Sequence, residues 1–404
     1  MYVTRPLSMY KKYPSALQSP PPEGPNSGVL VILDEEAEPT CCFGKCKSCE
    51  LPQLPFPQNK NLKTRYTIHT GEGSYDSYNK VVFIPVLNQP LSSNRYYAIK
   101  PCGRHKGKAF ASSKEDDKAT CCFCSFVSDV KPQPFDPKNH YQQFEIFPRG
   151  RSCGFFAKSV APDGFPPCFL RRKGWKLVTK TARNLELDEA PGLDMELRAR
   201  LPDFNFPLSN KSSKPVTVGK WYIPFIFIKE GTLEDQMNRS MYYETTLEQR
   251  WEQIFSCDNN GQKVDKDAVV VVVDVAVERE VVSLFGGEKE NLVPADHHIE
   301  WRVVDGVMWF KSSSTNSRDH VGLSSEIVER MDWEEERFGW VRGNERQVSV
   351  KREEQFCGGV HGSDQWRKFG CYVLAERFVL KRMDGSLLLT CDFKHTHHIR
   401  SKWE

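Results

Sequence analysis

Arg377-Phe378-Val379-Leu380-Lys381-Arg382-Met383-Asp384-Gly385-Ser386-Leu387-Leu388-Leu389-Thr390-Cys391-Asp392 sets two alternating runs around an Asp-Gly pair. Asp-Gly between alternating runs is the strongest short-range signal for a β-hairpin. Counting outward from the turn pairs Leu380 with Leu389, Phe378 with Cys391 and Arg377 with Asp392. That register gathers apolar pairs on one face and sets opposite charges across from each other on the other face. The same count about Asp305-Gly306 pairs Val303 with Met308 and Trp301 with Phe310. Long antiparallel strands therefore organise the C-terminal half.

Two helices are expected beside them. Thr232, with Asp235 three residues on, can cap a helix that brings Leu233, Met237, Met241, Trp251 and Phe255 near one face. A second helix is expected from about Ser324 to Phe338, with Leu323, Ile327, Met331 and Phe338 inward and Gly339 ending it. Trp221–Ile228 reads as a strand, and the apolar run Ala268–Val277 as a buried strand too short to span a bilayer. The fold class is α+β: a mainly antiparallel β middle unit, then an α+β domain with long hairpins and two helices. The expected divisions are a Pro/Cys-rich N-terminal segment (1–62), a β-rich domain (63–207) and a C-terminal domain (216–404), with a polar linker at Leu208–Pro215. A chain of 404 residues is long enough for more than one core.

The chain carries 56 basic and 53 acidic residues, so its formal charge of +3 gives no global field that predicts nucleic-acid binding. The start, Met1-Tyr2-Val3-Thr4-Arg5-Pro6, has neither the apolar core of a signal peptide nor a glycine for myristoylation. The expectation is a soluble protein of cytosol or nucleus with no transmembrane segment, whose 14 cysteines are mostly reduced thiols.

Seven cysteines lie in two clusters, Cys41-Cys42-Phe43-Gly44-Lys45-Cys46-Lys47-Ser48-Cys49 and Cys121-Cys122-Phe123-Cys124. Cys46, Cys49, Cys121 and Cys124 have the paired spacing by which two tight loops reach one tetrahedral zinc. Against this, 71 residues separate the pairs, more than in compact zinc modules. The adjacent pair Cys41-Cys42 could instead be S-acylated, attaching the protein peripherally to a membrane. Buried thiols and a redox role are the other readings.

Three further motifs stop short of a signature. Gly103-Arg104-His105-Lys106-Gly107-Lys108-Ala109 has three residues between its glycines and Ala after the lysine, where a phosphate loop needs four and Ser or Thr. A basic, Gly-containing turn can still bind an anion, or it can be a solvated loop. His395 and His397 would share a face of a regular strand, and Asp296-His297-His298 forms a second histidine group, but neither has a carboxylate or thiol at ligand spacing. Trp333, Trp340 and Trp366 would either anchor a partner or cover the sheet. No signature of a hydrolase elbow, zinc protease, kinase or dinucleotide site is present. The reading is a non-enzymatic protein that binds an unknown protein or small ligand. The alternatives are an acylated membrane-associated signalling or defence protein and an enzyme with an unrecognised site.

Met1–Tyr10, Pro85-Val86-Leu87-Asn88-Gln89-Pro90-Leu91-Ser92-Ser93, Gly103–Ala109 and Asp392-Phe393-Lys394-His395-Thr396-His397 resemble a plant family classed as a domain of unknown function, some of whose members are labelled putative insecticidal crystal toxin domain. The resemblance runs over nearly the whole chain. It implies plant origin and a link to stress or defence responses, and it brings no catalytic residue, ligand or cofactor. The toxin label would call for a helical pore-forming domain or a secreted context, and the sequence shows neither.

Overall fold

The structure, a computed structural model, describes residues 1–41, 46–121, 124–150, 154–179, 186–259, 269–285, 299–312, 320–356 and 366–404. Strands dominate and most pair antiparallel, in keeping with an α+β fold. The chain forms two compact units: Met1–Ala190 with Trp221–Tyr243 and Gly322–Ile327, and Pro191–Lys220 with Glu244–Val321 and Val328–Glu404. Residues 1–62 thus belong to the same unit as 63–190.

In the first unit, strand Tyr2–Pro6 runs parallel to Gly28–Ile32, with Tyr2 opposite Gly28. Two four-stranded sheets follow. One orders Phe155–Ser159, Gln143–Pro148, Arg95–Ile99 and Val82–Pro85. The other orders Glu50–Leu51, Lys176–Thr179, Leu62–Thr70 and Gly73–Lys80. Both feed one core in which Phe56 meets Phe83 at 5.0 Å, Tyr96 at 5.3 Å, Phe155 at 5.2 Å and Trp175 at 6.3 Å between ring centroids. Aromatic groups of this size dominate burial energetics. The Trp175 indole donates to the Leu170 carbonyl at 2.8 Å, so its one polar atom is satisfied inside the core.

The Thr232 cap forms as expected. Thr232 Oγ1 accepts from the Asp235 amide at 3.1 Å and donates to the Asp235 carboxylate at 2.6 Å. The helix covers only Leu233–Arg239, however, and Tyr242–Asp258 is a 17-residue strand. Trp251 and Phe255 therefore sit on a strand, not on the helix face. Tyr242, Tyr243, Thr245 and Thr246 are aromatic or β-branched, and their preference for a pleated surface overrides the apolar spacing.

The second unit is built on the order Tyr242–Asp258, Lys368–Arg382, Leu387–Trp403, Glu280–Leu284. The Asp384-Gly385 hairpin has the expected register, Leu380 opposite Leu389, Phe378 opposite Cys391 and Arg377 opposite Asp392. The Asp305-Gly306 hairpin pairs Val303 with Met308 and Trp301 with Phe310, and both turn residues adopt positive φ, +50° and +72°. Helix Ser325–Arg337 matches the second expected helix, and Gly339 follows it at φ +99°. Strand Val269–Glu278 pairs with Gln347–Phe356 and buries one face only: Val273 and Val277 are inside, whereas Val270 and Val272 are exposed. Among the described residues no helix is long and apolar enough to cross a membrane.

Candidate functional site

The cysteine clusters fall partly outside the described residues. Cys41 and Cys46 face each other across one two-stranded ladder and Cys121 and Cys124 across another. Cys41 and Cys49 are exposed. Cys42 and Cys122 lie outside the described residues, as do the side chains of Cys46, Cys121 and Cys124. The histidine group at Asp296–His298 is outside them too.

Among the described residues, a dense set of ionisable groups lies in the second unit, where Arg198, Glu334, Glu335, Glu376 and His395 are all essentially inaccessible to solvent. Arg198 comes from helix Met195–Arg200, and its Nε donates to Glu376 Oε1 at 2.9 Å while Nη2 donates to Oε2. Gln249 Nε2 donates to the same Oε1 at 2.6 Å and to the Arg198 carbonyl at 3.2 Å. Helix Ser325–Arg337 adds Glu334 and Glu335, each 3.6 Å from the guanidinium, and Arg330, which pairs with Glu334. His395 Nε2 lies 2.8 Å from Glu335 Oε2 and 3.6 Å from Glu376 Oε2. Phe338 closes one side, its ring 4.2 Å from the Arg198 guanidinium and 5.3 Å from the imidazole.

Burial and the Glu376 charge push the Glu335 carboxyl upward, with His395 and Arg198 opposing. For Glu376, burial alone would raise the carboxyl, but the His395 and Arg198 hydrogen bonds outweigh it and hold it at about 2. Burial would likewise lower His395, yet hydrogen bonds to Glu335 and Glu376 carry the imidazole up. Glu335 and His395 cannot both keep a proton on the facing atoms, because two donors at 2.8 Å repel; one proton between them satisfies both shifts. With that proton, two guanidiniums and the shared proton balance three carboxylates. The centre is electrically neutral.

Donor atoms of Glu335, Glu376 and His395 lie within 4.8 Å of one another, the spacing of a metal site. The fit to a dication is poor. Arg198 already engages both oxygens of Glu376, an ion would break the Glu335–His395 contact, and the neutral balance would become positive. The arrangement suits a proton.

Glu376 and His395 are each the polar member of an otherwise apolar strand face, among Leu374, Phe378 and Leu380 and among Leu389, Cys391 and Phe393. That break in pattern is the signal that could have found them. The register shifts between Val373 and Leu374, so that Leu374 pairs with His395 and Val373 with Ile399, yet the His395 and His397 rings still meet edge to face at 5.4 Å between centroids. His395 is buried and His397 exposed.

Two surface features complete the picture, both in the first unit. In the hairpin of Leu62–Thr70 and Gly73–Lys80, Leu62 and Thr64 are buried at the base, while Tyr75 towards the tip and Tyr78 near the base are 58% and 54% exposed. Tyr75 lies opposite Ile68 and Tyr78 opposite Arg65, on opposite faces of the ribbon. Asp76 accepts from Thr67 Oγ1 at 2.6 Å and from the Tyr78 hydroxyl at 3.3 Å. Gly73–Lys80 is the last strand of its sheet. The other feature is the Gly103–Gly107 turn. Of the tryptophans expected to anchor a partner or cover the sheet, Trp340 packs on Phe393 and Trp366 on Trp403, both buried, while Trp333 is half-buried beneath Arg330 and Arg337 of its own helix.

A family model described as protein of unknown function (DUF1262) matches residues 23–123. No curated protein matches the chain. Among solved structures, the chain is similar to one described as the crystal structure of Cry35Ab1, at 11% identity and a TM-score of 0.46, covering 86% of this chain and 90% of that one. A likeness at that level carries no functional argument. The resemblance to a domain of unknown function is thereby met over residues 23–123, and these matches carry neither plant origin nor a stress response.

Proposed function

We propose that this chain is a non-enzymatic binding protein that recognises another polypeptide through the Leu62–Lys80 hairpin. The observation that carries the reading is the exposure of Tyr75 and Tyr78 on Gly73–Lys80, the edge strand of its sheet among the described residues. An unpaired strand edge offers amides and carbonyls to an extended partner segment. The strand itself, Gly73-Ser74-Tyr75-Asp76-Ser77-Tyr78-Asn79-Lys80, is made of residue types that dominate recognition loops: Tyr for rigid amphipathic contact area, Ser, Gly and Asn for adaptable hydrogen bonds. The main cluster of perturbed ionisable groups, by contrast, is sealed from solvent and internally neutralised, which suits stability better than turnover.

The test is site-specific photo-crosslinking from positions 75 and 78 in an extract of the source cells, with position 13 as the control, since Tyr13 is equally exposed at 65%. A discrete protein adduct from 75 or 78 and none from 13 supports the reading. Equal labelling from all three positions would remove it.

The cysteines carry a separate proposal, one zinc held by Cys46, Cys49, Cys121 and Cys124. Elemental analysis of tag-free protein should then give about one zinc per chain, lost in Cys124→Ser. A metal-free protein ends that reading and leaves acylation of Cys41 and Cys42, tested by membrane fractionation of the double Ser variant. Residence in cytosol or nucleus is likewise proposed, on the reading of the thiols as reduced.

A further inference from the structure

Lys100–Ala109 closes on itself. The Lys100 amide donates to the Lys108 carbonyl at 2.9 Å and the Gly107 amide returns to the Lys100 carbonyl at 2.8 Å. Inside that closure the Lys106 amide donates to Gly103 and the Lys108 amide to His105, at 2.9 and 3.2 Å. Gly103 and Gly107 both take φ +79°, the left-handed conformation that lets so tight a loop form. Gly107 also faces Leu233, whose side chain would lie 3.1 Å from an added Cβ. Lys106 is drawn onto helix Leu233–Arg239, donating to the Glu234 carbonyl at 3.2 Å and Asn238 Oδ1 at 2.6 Å. Reciprocal hydrogen bonds of 2.9 Å between Ala109 and Gln133 bring in the segment that carries Lys131.

The turn therefore has a fixed backbone and a concentrated charge. Lys100, Arg104, Lys108 and Lys131 all act on His105, and no carboxylate among the described residues forms an ion pair with any of the four. Partial desolvation and then these four cations hold the His105 imidazole below its ordinary range. Like charges held this close by an ordered turn oppose folding unless a counter-charge arrives. Elsewhere in the same unit cations do find partners: Arg65 and Lys176 meet Glu50, and Arg171 meets Asp129.

We infer that the Gly103–Gly107 turn, with Lys100, Arg104, Lys108 and Lys131, is a binding site for a multiply charged phosphate group. The guanidinium of Arg104 supplies forked donors that match phosphate oxygens, and the lysines supply point charges around it. Such a group could be free in solution or could be the headgroup of a lipid, and the chemistry recognised is the same. This goes beyond the hairpin reading and does not depend on it.

The experiment uses the full chain, with tripolyphosphate as the soluble probe and phosphatidylcholine vesicles with and without phosphatidic acid as the lipid probe. The variants are Arg104→Ala with Lys131→Ala, two exposed side chains, and a charge-matched control, Lys211→Ala with Lys214→Ala, from the polar linker. NMR titration of the His105 ring is the second readout. The expected result is tripolyphosphate binding that weakens at least tenfold in the turn variant, stays within twofold of wild type in the control, and moves the His105 titration to higher pH. Sedimentation with phosphatidic acid vesicles, lost in the turn variant and kept in the control, without tripolyphosphate binding, supports the site and assigns it to a lipid headgroup. Equal losses in the two variants, an unmoved His105 titration on binding tripolyphosphate, or no binding to either probe overturns the proposal.

Discussion

Breaking one partner of the buried centre should cost far more than removing both. Arg198→Met takes the guanidinium from the Glu376 carboxylate at full burial and leaves it Gln249 at 2.6 Å and His395 at 3.6 Å. Losing one member of a buried pair costs about 3–5 kcal/mol because the other charge is left uncompensated. A second route gives the same scale. The displacement of Glu376 from 4.5 to about 2 corresponds to about 3 kcal/mol of stabilisation of its charged form. Glu376→Gln alone should cost a similar amount, because Arg198 loses its two direct carboxylate contacts and keeps only Glu334 and Glu335 at 3.6 Å. The double variant leaves neither charge and should lie within about 2 kcal/mol of wild type, a coupling of about 3 kcal/mol or more. Urea unfolding at pH 7, followed by tryptophan fluorescence, measures all four corners, and Trp251 reports from the same unit. The sign with pH is fixed as well. A depressed carboxylate stabilises above its unfolded value, so the gap between wild type and Glu376→Gln should narrow as pH falls from about 4 towards 2. Additive single-variant costs, or a gap indifferent to acid, would refute the coupled centre.

Alkaline conditions test the shared proton. His395 has its folded value raised from 6.5 to about 9, so its stabilisation is complete below 6.5 and is lost as pH climbs through about 9; urea midpoints at pH 6.5 and 9 should diverge in wild type and much less in His395→Gln. Gly28→Ala would push a methyl group into the ring of Tyr2, which is fully buried and donates to the Pro85 carbonyl at 2.7 Å. A loss of about 1–3 kcal/mol is expected, and an unchanged thermal midpoint would show that the strand pair Tyr2–Pro6 and Gly28–Ile32 is looser than described. Thr232→Ala removes the cap of helix Leu233–Arg239 and should cost about 1 kcal/mol, read as a small fall in melting temperature that Thr232→Ser largely restores.

The features legible in the sequence are those whose causes are local. Asp384-Gly385 and Asp305-Gly306 dictate their turns, and a turn fixes the register of everything alternating outward from it, so Arg377 and Asp392 could be paired from the letters alone. Thr232 and Asp235 announce a helix start in the same way, but nothing comparably local marks the helix end at Arg239, and the periodic reading ran on to Trp251 and Phe255. The buried centre was legible only in part, for a different reason. Glu376 and His395 break the apolar pattern of their strand faces, but the sheet order and helix packing that bring them to Arg198, Gln249 and Glu335 leave no trace at any single position.

Charge is handled in two opposite ways in this protein, and the contrast bears on where function lies. Within the second unit, five ionisable groups at full burial and the nearly buried Arg330 are balanced to neutrality with one shared proton, because any residual charge there would carry a desolvation penalty of several kcal/mol. In the first unit, Lys100, Arg104, Lys108 and Lys131 at the Gly103–Gly107 turn have no carboxylate ion pair among the described residues. Solvent makes that imbalance tolerable, not favourable, since repulsion among like charges, which adds to desolvation in lowering His105, opposes the ordered turn. A fold that neutralises charge so closely where it must, and keeps a fixed surplus of one sign where it need not, places its prospects for ligand binding at the surplus. The sealed centre is where to look for stability, and the turn and the exposed hairpin edge are where to look for partners.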